Sequence, residues 1–217
     1  MKKHIYFIPG TAANSRIFDR VEFPKEAFEI HFLEWLLPSS KNESLASYAK
    51  RLCVNINHIN PILIGVSFGG ILVQEMSKII NCEKLVIISS IKNKSELPKN
   101  LQFIKKTKLY LLAPIHFITF TENLLSYLFG KRVQRRIDAY KIYLSQRNPL
   151  YLKWAIKEAL CWNQENSIPG IIHLHGDKDI VFPIETINGC IPIKNGSHVM
   201  IVTKGKLISR ILSDQLQ

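Results

Sequence analysis

The stretch Ile62-Leu63-Ile64-Gly65-Val66-Ser67-Phe68-Gly69-Gly70 restricts the possible folds of this chain more than any other. A short apolar run ends at a glycine, a serine follows two positions on, and residues 71–80 are compatible with a helix. That is the strand–turn–helix context in which G-x-S-x-G acquires chemical meaning. A serine hydroxyl is a weak nucleophile at neutral pH, so it must be held in the open, beside a base and near backbone N–H groups. Gly65 and Gly69 permit a turn too tight for a side chain at either position. Ser67 then stands at the apex, at the mouth of a helix whose amino-terminal amides face the reacting centre. The plainer reading is a serine in a glycine-rich turn, and what lies downstream decides between the two.

The rest of the chain supplies a sheet for that turn to rise from. Residues 4–8 are a compact apolar run closed by Pro9-Gly10, which predicts a buried strand that turns sharply. Residues 28–35 alternate in part, as an edge strand or one with an exposed face does. Residues 44–55 place Leu45, Tyr48, Ala49 and Leu52 on one helical stripe. The all-apolar run 85–88, the run 170–175 and a short one at 190–193 predict three more strands, and residues 206–216 a closing amphipathic helix. Doubly buried strands alternating with helices predict an α/β fold, a doubly wound and mainly parallel sheet of about six strands. In the order 2-1-3-4-5-6 the winding reverses between the first and third strands. Ligands bind at such a switch point, beyond the carboxyl ends of the strands, where Pro9-Gly10 and Ser67 both fall.

Between the fourth and fifth strands the pattern changes. Helical periodicity replaces strand runs over residues 92–166, broken by Pro98, Pro114, Gly130 and Pro149. This predicts a helical cap inserted into a core made of residues 1–91 and 167–217. Fourteen Lys or Arg face four Asp or Glu between Lys92 and Glu158, so most of the net charge of +12 sits there. Such a segment suits solubility, anionic lipid or an acidic substrate, and no nucleic-acid-binding motif accompanies it. Its aromatic residues, Trp154 and Trp162 among them, are expected mainly in the interior of the cap. The apolar stretch 109–129 contains Pro114, His116, Glu122 and Asn123, which argues against a membrane span and for two packed helices. Cys53, Cys82, Cys161 and Cys190 have neither disulfide-framework nor metal-ligand spacing, which predicts reduced thiols in the cytoplasm. Lys2-Lys3 before the first apolar run is too brief a pattern for a signal peptide.

With these residues in view, the chain resembles the α/β-hydrolase family in a short version without the usual leading antiparallel strands. The resemblance covers residues 3–90 and 168–216, with the insertion where that family carries its cap. Ser67 matches the nucleophile elbow. His175-Gly176-Asp177-Lys178-Asp179 through Pro183 is similar to the family's H-G-x-x-D-x-x-x-P, which implies Asp179 as the acid, with Asp177 the competitor. Gly196-Ser197-His198 resembles its G-x-H loop, which implies His198 as the general base. The oxyanion hole implied by the resemblance uses the Phe68 amide and, from Pro9-Gly10-Thr11, the Thr11 amide, with Ala12 as the other possibility. Of the remaining histidines, His4, His31 and His173 are expected buried in strands, His58 and His116 have no motif around them, and His175 is expected to be structural.

The resemblance implies a serine hydrolase of the carboxylesterase or thioesterase class acting through an acyl-enzyme. It needs no metal or organic cofactor, and no metal-ligand spacing is visible. A serine at the elbow argues against haloalkane dehalogenase or epoxide hydrolase chemistry, whose relatives carry an aspartate there. An acyltransferase or amidase with the same triad, a non-catalytic binding protein on this scaffold, and a hydrolase whose basic cap touches anionic lipid are the alternatives. The expected partner is a small acyl ester or thioester.

Overall fold

The computed structural model describes residues 2–112 and 142–216. Six strands, β1 (Lys3–Ile8), β2 (Phe28–Phe32), β3 (Ile62–Val66), β4 (Lys84–Ile88), β5 (Ile172–Gly176) and β6 (Ile191–Ile193), make one sheet. Its order is β2-β1-β3-β4-β5-β6, and every neighbouring pair is parallel. The reversal falls between β1 and β3, as the sequence predicts. β2 is an edge strand and ends at Phe32 rather than 35. Past its end, Leu33 N–H still donates to Phe7 O at 2.9 Å, and Trp35 turns inward, its Nε1 donating to Gly10 O at 2.9 Å.

Strand alternation divides the interior into two layers. Tyr6, Ile8, Leu63, Leu85 and Ile87 face one, and Ile5, Phe7, Ile62, Ile64, Val86 and Ile88 face the other. Helices α1 (Leu45–Cys53) and α2 (Phe68–Met76) pack on the first. Ser44 caps α1, its Oγ accepting from Ser47 N–H at 3.2 Å. Helix α2 starts at the residue after Ser67, earlier than residue 71, because the elbow itself sets the first turn; it ends at Met76 rather than residue 80. Helix α5 (Gly205–Gln215) closes the second layer through Ile208 and Leu212.

Between β4 and β5 the described elements include α3 (Lys99–Thr107) and α4 (Pro149–Cys161). Asn148 caps α4, its Oδ1 accepting from the N–H groups of Leu150 and Tyr151. Trp154 does not fill a separate cap interior. Its ring lies 4.4 Å from Tyr48, and its Nε1 donates to Glu43 O at 2.8 Å, inside the core shared with the sheet. Trp162 belongs to that core as well, donating to Glu75 Oε1 at 2.7 Å. A helical stripe reports that a face is buried, not which neighbour covers it. Residues 113–129 of the apolar stretch, with His116, Phe117, Phe120, Tyr127 and Phe129, lie outside the described residues. Among the described residues no helix is long and apolar enough to cross a membrane.

Candidate active site

The two glycines of the elbow are there because backbone occupies the space of their side chains. A Cβ on Gly65 would lie 2.2 Å from Gly69 O, and one on Gly69 would lie 2.3 Å from Pro9 O. This close approach leaves Ser67 at φ 53° and ψ −118°, a conformation that costs a non-glycine residue about 1–3 kcal/mol. Four hydrogen bonds hold its backbone: Ser67 N–H donates to Ile88 O at 2.9 Å, and Ser67 O accepts from Ser90 Oγ at 2.7 Å, Gly70 N–H at 2.9 Å and Ile71 N–H at 3.3 Å. The Ser67 side chain makes no capping bond to α2, so its hydroxyl is turned elsewhere.

That hydroxyl meets His198. Ser67 Oγ and His198 Nε2 are 3.0 Å apart, and His198 Nδ1 lies 2.9 Å from Asp179 Oδ2 and 3.1 Å from Oδ1. The carboxylate requires the imidazole proton on Nδ1, which leaves the Nε2 lone pair to accept from the serine hydroxyl. Asp179 follows β5 and His198 follows β6. The two loops meet because Gly176 and Gly196 touch: a Cβ on Gly176 would stand 2.2 Å from Gly196 O. Lys178 N–H then donates to Gly196 O at 2.8 Å. The competitor Asp177 is bound through its backbone N–H to Ile193 O, and it is Asp179 whose carboxylate contacts His198.

The carboxylate of Asp179 is sealed, with its residue only 5% exposed. Its Oδ1 accepts from Val181 N–H at 2.9 Å and Phe182 N–H at 3.0 Å. Burial works to raise its pKa, but the His198 hydrogen bond and charge, with those two amides, outweigh burial and hold it below the ordinary aspartate value. Beneath it, His175 Nε2 donates to Phe182 O at 2.8 Å, which leaves Nδ1 to accept from His173 Nε2 at 3.0 Å. Burial lowers the pKa of both rings, His173 to about 3, with the neighbouring imidazole and Lys92 adding to the effect there.

Ser67 opens onto a cavity of about 480 Å³. Thr11 and Phe68 line it beside the serine, and Leu101, Ile104, Ile156, Leu160 and Phe182 make much of its apolar wall.

Several solved structures share this architecture. A hydrolase from Oleispira antarctica superposes with a TM-score of 0.70 at 15% identity, the match covering 98% of this chain and 90% of that one. A thermophilic esterase from Thermogutta terrifontis gives 0.68 at 12% identity, over 100% and 90%. An epoxide hydrolase from Bacillus megaterium gives 0.64 at 11% identity, over 100% and 94%. The chain has the α/β-hydrolase fold. No family model and no curated protein matches it by sequence.

The α/β-hydrolase fold places the first loop after β1 against the elbow. Gly10 O accepts from both Trp35 Nε1 and Ala13 N–H. Across a trans peptide the N–H points opposite to the carbonyl, so Thr11 N–H is directed away from those two donors. Ala12 adopts φ 63°, and its carbonyl accepts from Gln146 N–H at 3.0 Å. Phe68 is the first residue of α2, and its ring stacks on Trp35 with centroids 5.3 Å apart. Sequence reasoning missed the parts of Trp35 and Ser90, neither of which lies in a motif that names its contact, whereas His175 is the buried structural residue expected from its place in the acid motif.

Proposed function

We propose that this chain is a serine hydrolase that cleaves carboxylic esters or thioesters of an apolar acyl group through an acyl-enzyme on Ser67. The observation that carries the reading is the continuous contact from Ser67 Oγ through His198 to Asp179 at the mouth of an apolar cavity. Ser67 Oγ attacks the acyl carbon while its proton passes to His198 Nε2, and Asp179 stabilises the imidazolium. The N–H groups of Phe68 and Thr11 receive the developing oxyanion; one such donor is worth about 100-fold or more in rate. Collapse breaks the bond to the leaving oxygen or sulfur, which takes the proton from His198. Water then gives a proton to His198, attacks the acyl-enzyme, and releases the carboxylic acid as Ser67 regains its hydrogen.

Leu101 and Ile104 from α3 and Ile156 and Leu160 from α4 line the cavity, which supports residues 92–166 acting as its cap over a core of residues 1–91 and 167–217. The esterase among the structural neighbours supports ester chemistry. The cysteines are all free, in keeping with a reducing, cytoplasmic setting.

Intact-mass labelling with a fluorophosphonate tests the reading. One adduct per native chain is expected, absent from Ser67→Ala and largely lost from His198→Ala. A folded native chain that takes no adduct overturns it and leaves a binding protein on the same scaffold.

A further inference from the structure

His4 and His31, expected buried in their strands, are instead about one-quarter exposed, with side-chain values of 25% and 24%. β2 is the sheet edge, so the layer above these residues is incomplete. Parallel register sets His4 opposite Glu29 and Tyr6 opposite His31, which puts all four side chains on one face of the two strands. His58 joins them from the connection between α1 and β3. One ligand atom from each of the three histidines can be chosen so that all lie within 4.8 Å of one another.

We propose that His4, His31 and His58, closed by Glu29, bind one divalent transition-metal ion of the imidazole-preferring class, zinc above all. His4 Nδ1 and His31 Nε2 are 3.1 Å apart. Two nitrogens bound tetrahedrally at zinc distances of about 2.0–2.1 Å stand about 3.3–3.4 Å apart, so this pair is nearly at ligand spacing. The two Glu29 oxygens lie 3.9 Å and 3.8 Å from those same two nitrogens, and a carboxylate that swings in slightly supplies both a ligand and negative charge. His58 is the member that must turn. Its ring stacks on His4 with centroids 3.5 Å apart and planes 9° apart, and the lone pairs of stacked rings run parallel rather than converging. It lies in the connection before β3, outside the strand register that fixes His4 and His31.

A buried hydroxyl supports the third ligand. Tyr6 OH lies 2.7 Å from His58 Nδ1 and accepts from Asn57 N–H at 3.3 Å. An outer partner of this kind orients a metal-binding imidazole and leaves its Nε2 for the ion. Three imidazoles with a carboxylate suit zinc, copper or nickel better than calcium or magnesium. The site lies towards the start of β1, away from the elbow, and stands independently of the hydrolase reading. A bound ion there ties the edge strand β2 to β1 and to the loop carrying His58.

The test uses the untagged native chain, dialysed against buffered zinc and counted for metal per chain by elemental mass spectrometry. One equivalent is expected, with a rise in melting temperature. His31→Ala, His58→Ala and Glu29→Gln each weaken retention at least tenfold, and Tyr6→Phe does so by about 10- to 100-fold. His198→Ala keeps its zinc, which separates this site from the serine site. Far-ultraviolet circular dichroism establishes that each variant is folded, and Glu29, half exposed, is the substitution least able to disturb the core. A native chain that retains no zinc overturns the proposal. So does retention equal to the native chain's in folded His31→Ala and His58→Ala chains, which leaves one stacked imidazole pair and a His4–His31 hydrogen bond.

Discussion

His175 and Asp179 face each other across 3.5 Å, Nε2 to Oδ2, both side chains closed to solvent. The same His175 nitrogen donates to Phe182 O, and Phe182 N–H donates to Asp179 Oδ1, so His175 holds the residue whose amide holds the carboxylate. His175→Ala is expected to lower kcat about tenfold with KM nearly unchanged, since it loosens the position of Asp179 without touching substrate. Steady-state kinetics on a short acyl ester, with fluorophosphonate labelling retained at a slower rate, is the check. An unchanged kcat would reduce His175 to a packing residue.

The backbone angle at Ser67 gives a stability prediction. Ala inherits the conformation that Ser occupies, whereas Gly adopts it without strain. Ser67→Gly should therefore melt above Ser67→Ala by about 2–4 °C, corresponding to about 1 kcal/mol in a chain of this size. Scanning calorimetry on the two variants compares them directly. Equal melting temperatures would mean that the angle stores no strain.

Gly69→Ala is predicted to fail in a different way. Its added Cβ would lie 2.3 Å from Pro9 O and 2.5 Å from Ile8 O, backbone atoms at the carboxyl end of β1, a strand paired on both sides that cannot move alone. A loss of about 3 kcal/mol, at the upper end for overpacking, is expected in urea unfolding. A midpoint within error of the native one contradicts the close packing at this turn.

Acid should destabilise the fold through the buried histidine pair. His173 has a folded pKa lowered to about 3, below that of the unfolded chain, so only the unfolded state binds its proton between those values. Stability therefore rises with pH through that window and falls as pH drops from about 6.5 towards 3, by up to about 1.4 kcal/mol per unit. His175 acts in the same direction. Asp179, held below its ordinary value, contributes stability that is present above the unfolded pKa and is lost as pH falls through the folded one. Urea midpoints from pH 7 to pH 4 measure the slope, which should flatten in His173→Asn.

Cavity length can be read through substrates. Ala159 lies on the cavity wall, and Ala159→Phe fills space that an acyl chain would use. Each methylene excluded should raise KM about fourfold, from about 0.8 kcal/mol per buried CH₂. A series of p-nitrophenyl esters, with the optimum moved to shorter chains in the variant, is the expected outcome.

Much of this was legible because the signals are local. Apolar runs bounded by Pro9-Gly10, Gly65 and Ser89-Ser90 mark strands, and each residue brought to the serine stands in a short turn pattern at a strand end. The partners of α4 were not legible: Tyr151 and Trp154 are buried, but no periodicity says that they lie against Tyr48 and Trp35. The histidine cluster was hidden for a related reason. His4, His31 and His58 come together only through strand register and a loop, contacts spanning tens of residues with no spacing rule. The second oxyanion donor of the proposed mechanism depends on the orientation of one peptide plane, which residue identity does not encode.

The strand that presents His198 is the shortest in the sheet, three residues at its rim, and its middle position is Pro192. Ser67 and Asp179 instead follow strands flanked on both sides. Rim strands of this kind detach at a lower free energy than the body that holds them. Warming should therefore uncouple the imidazole from the serine while the rest of the sheet stays folded, so that the proposed activity is lost reversibly before the chain melts.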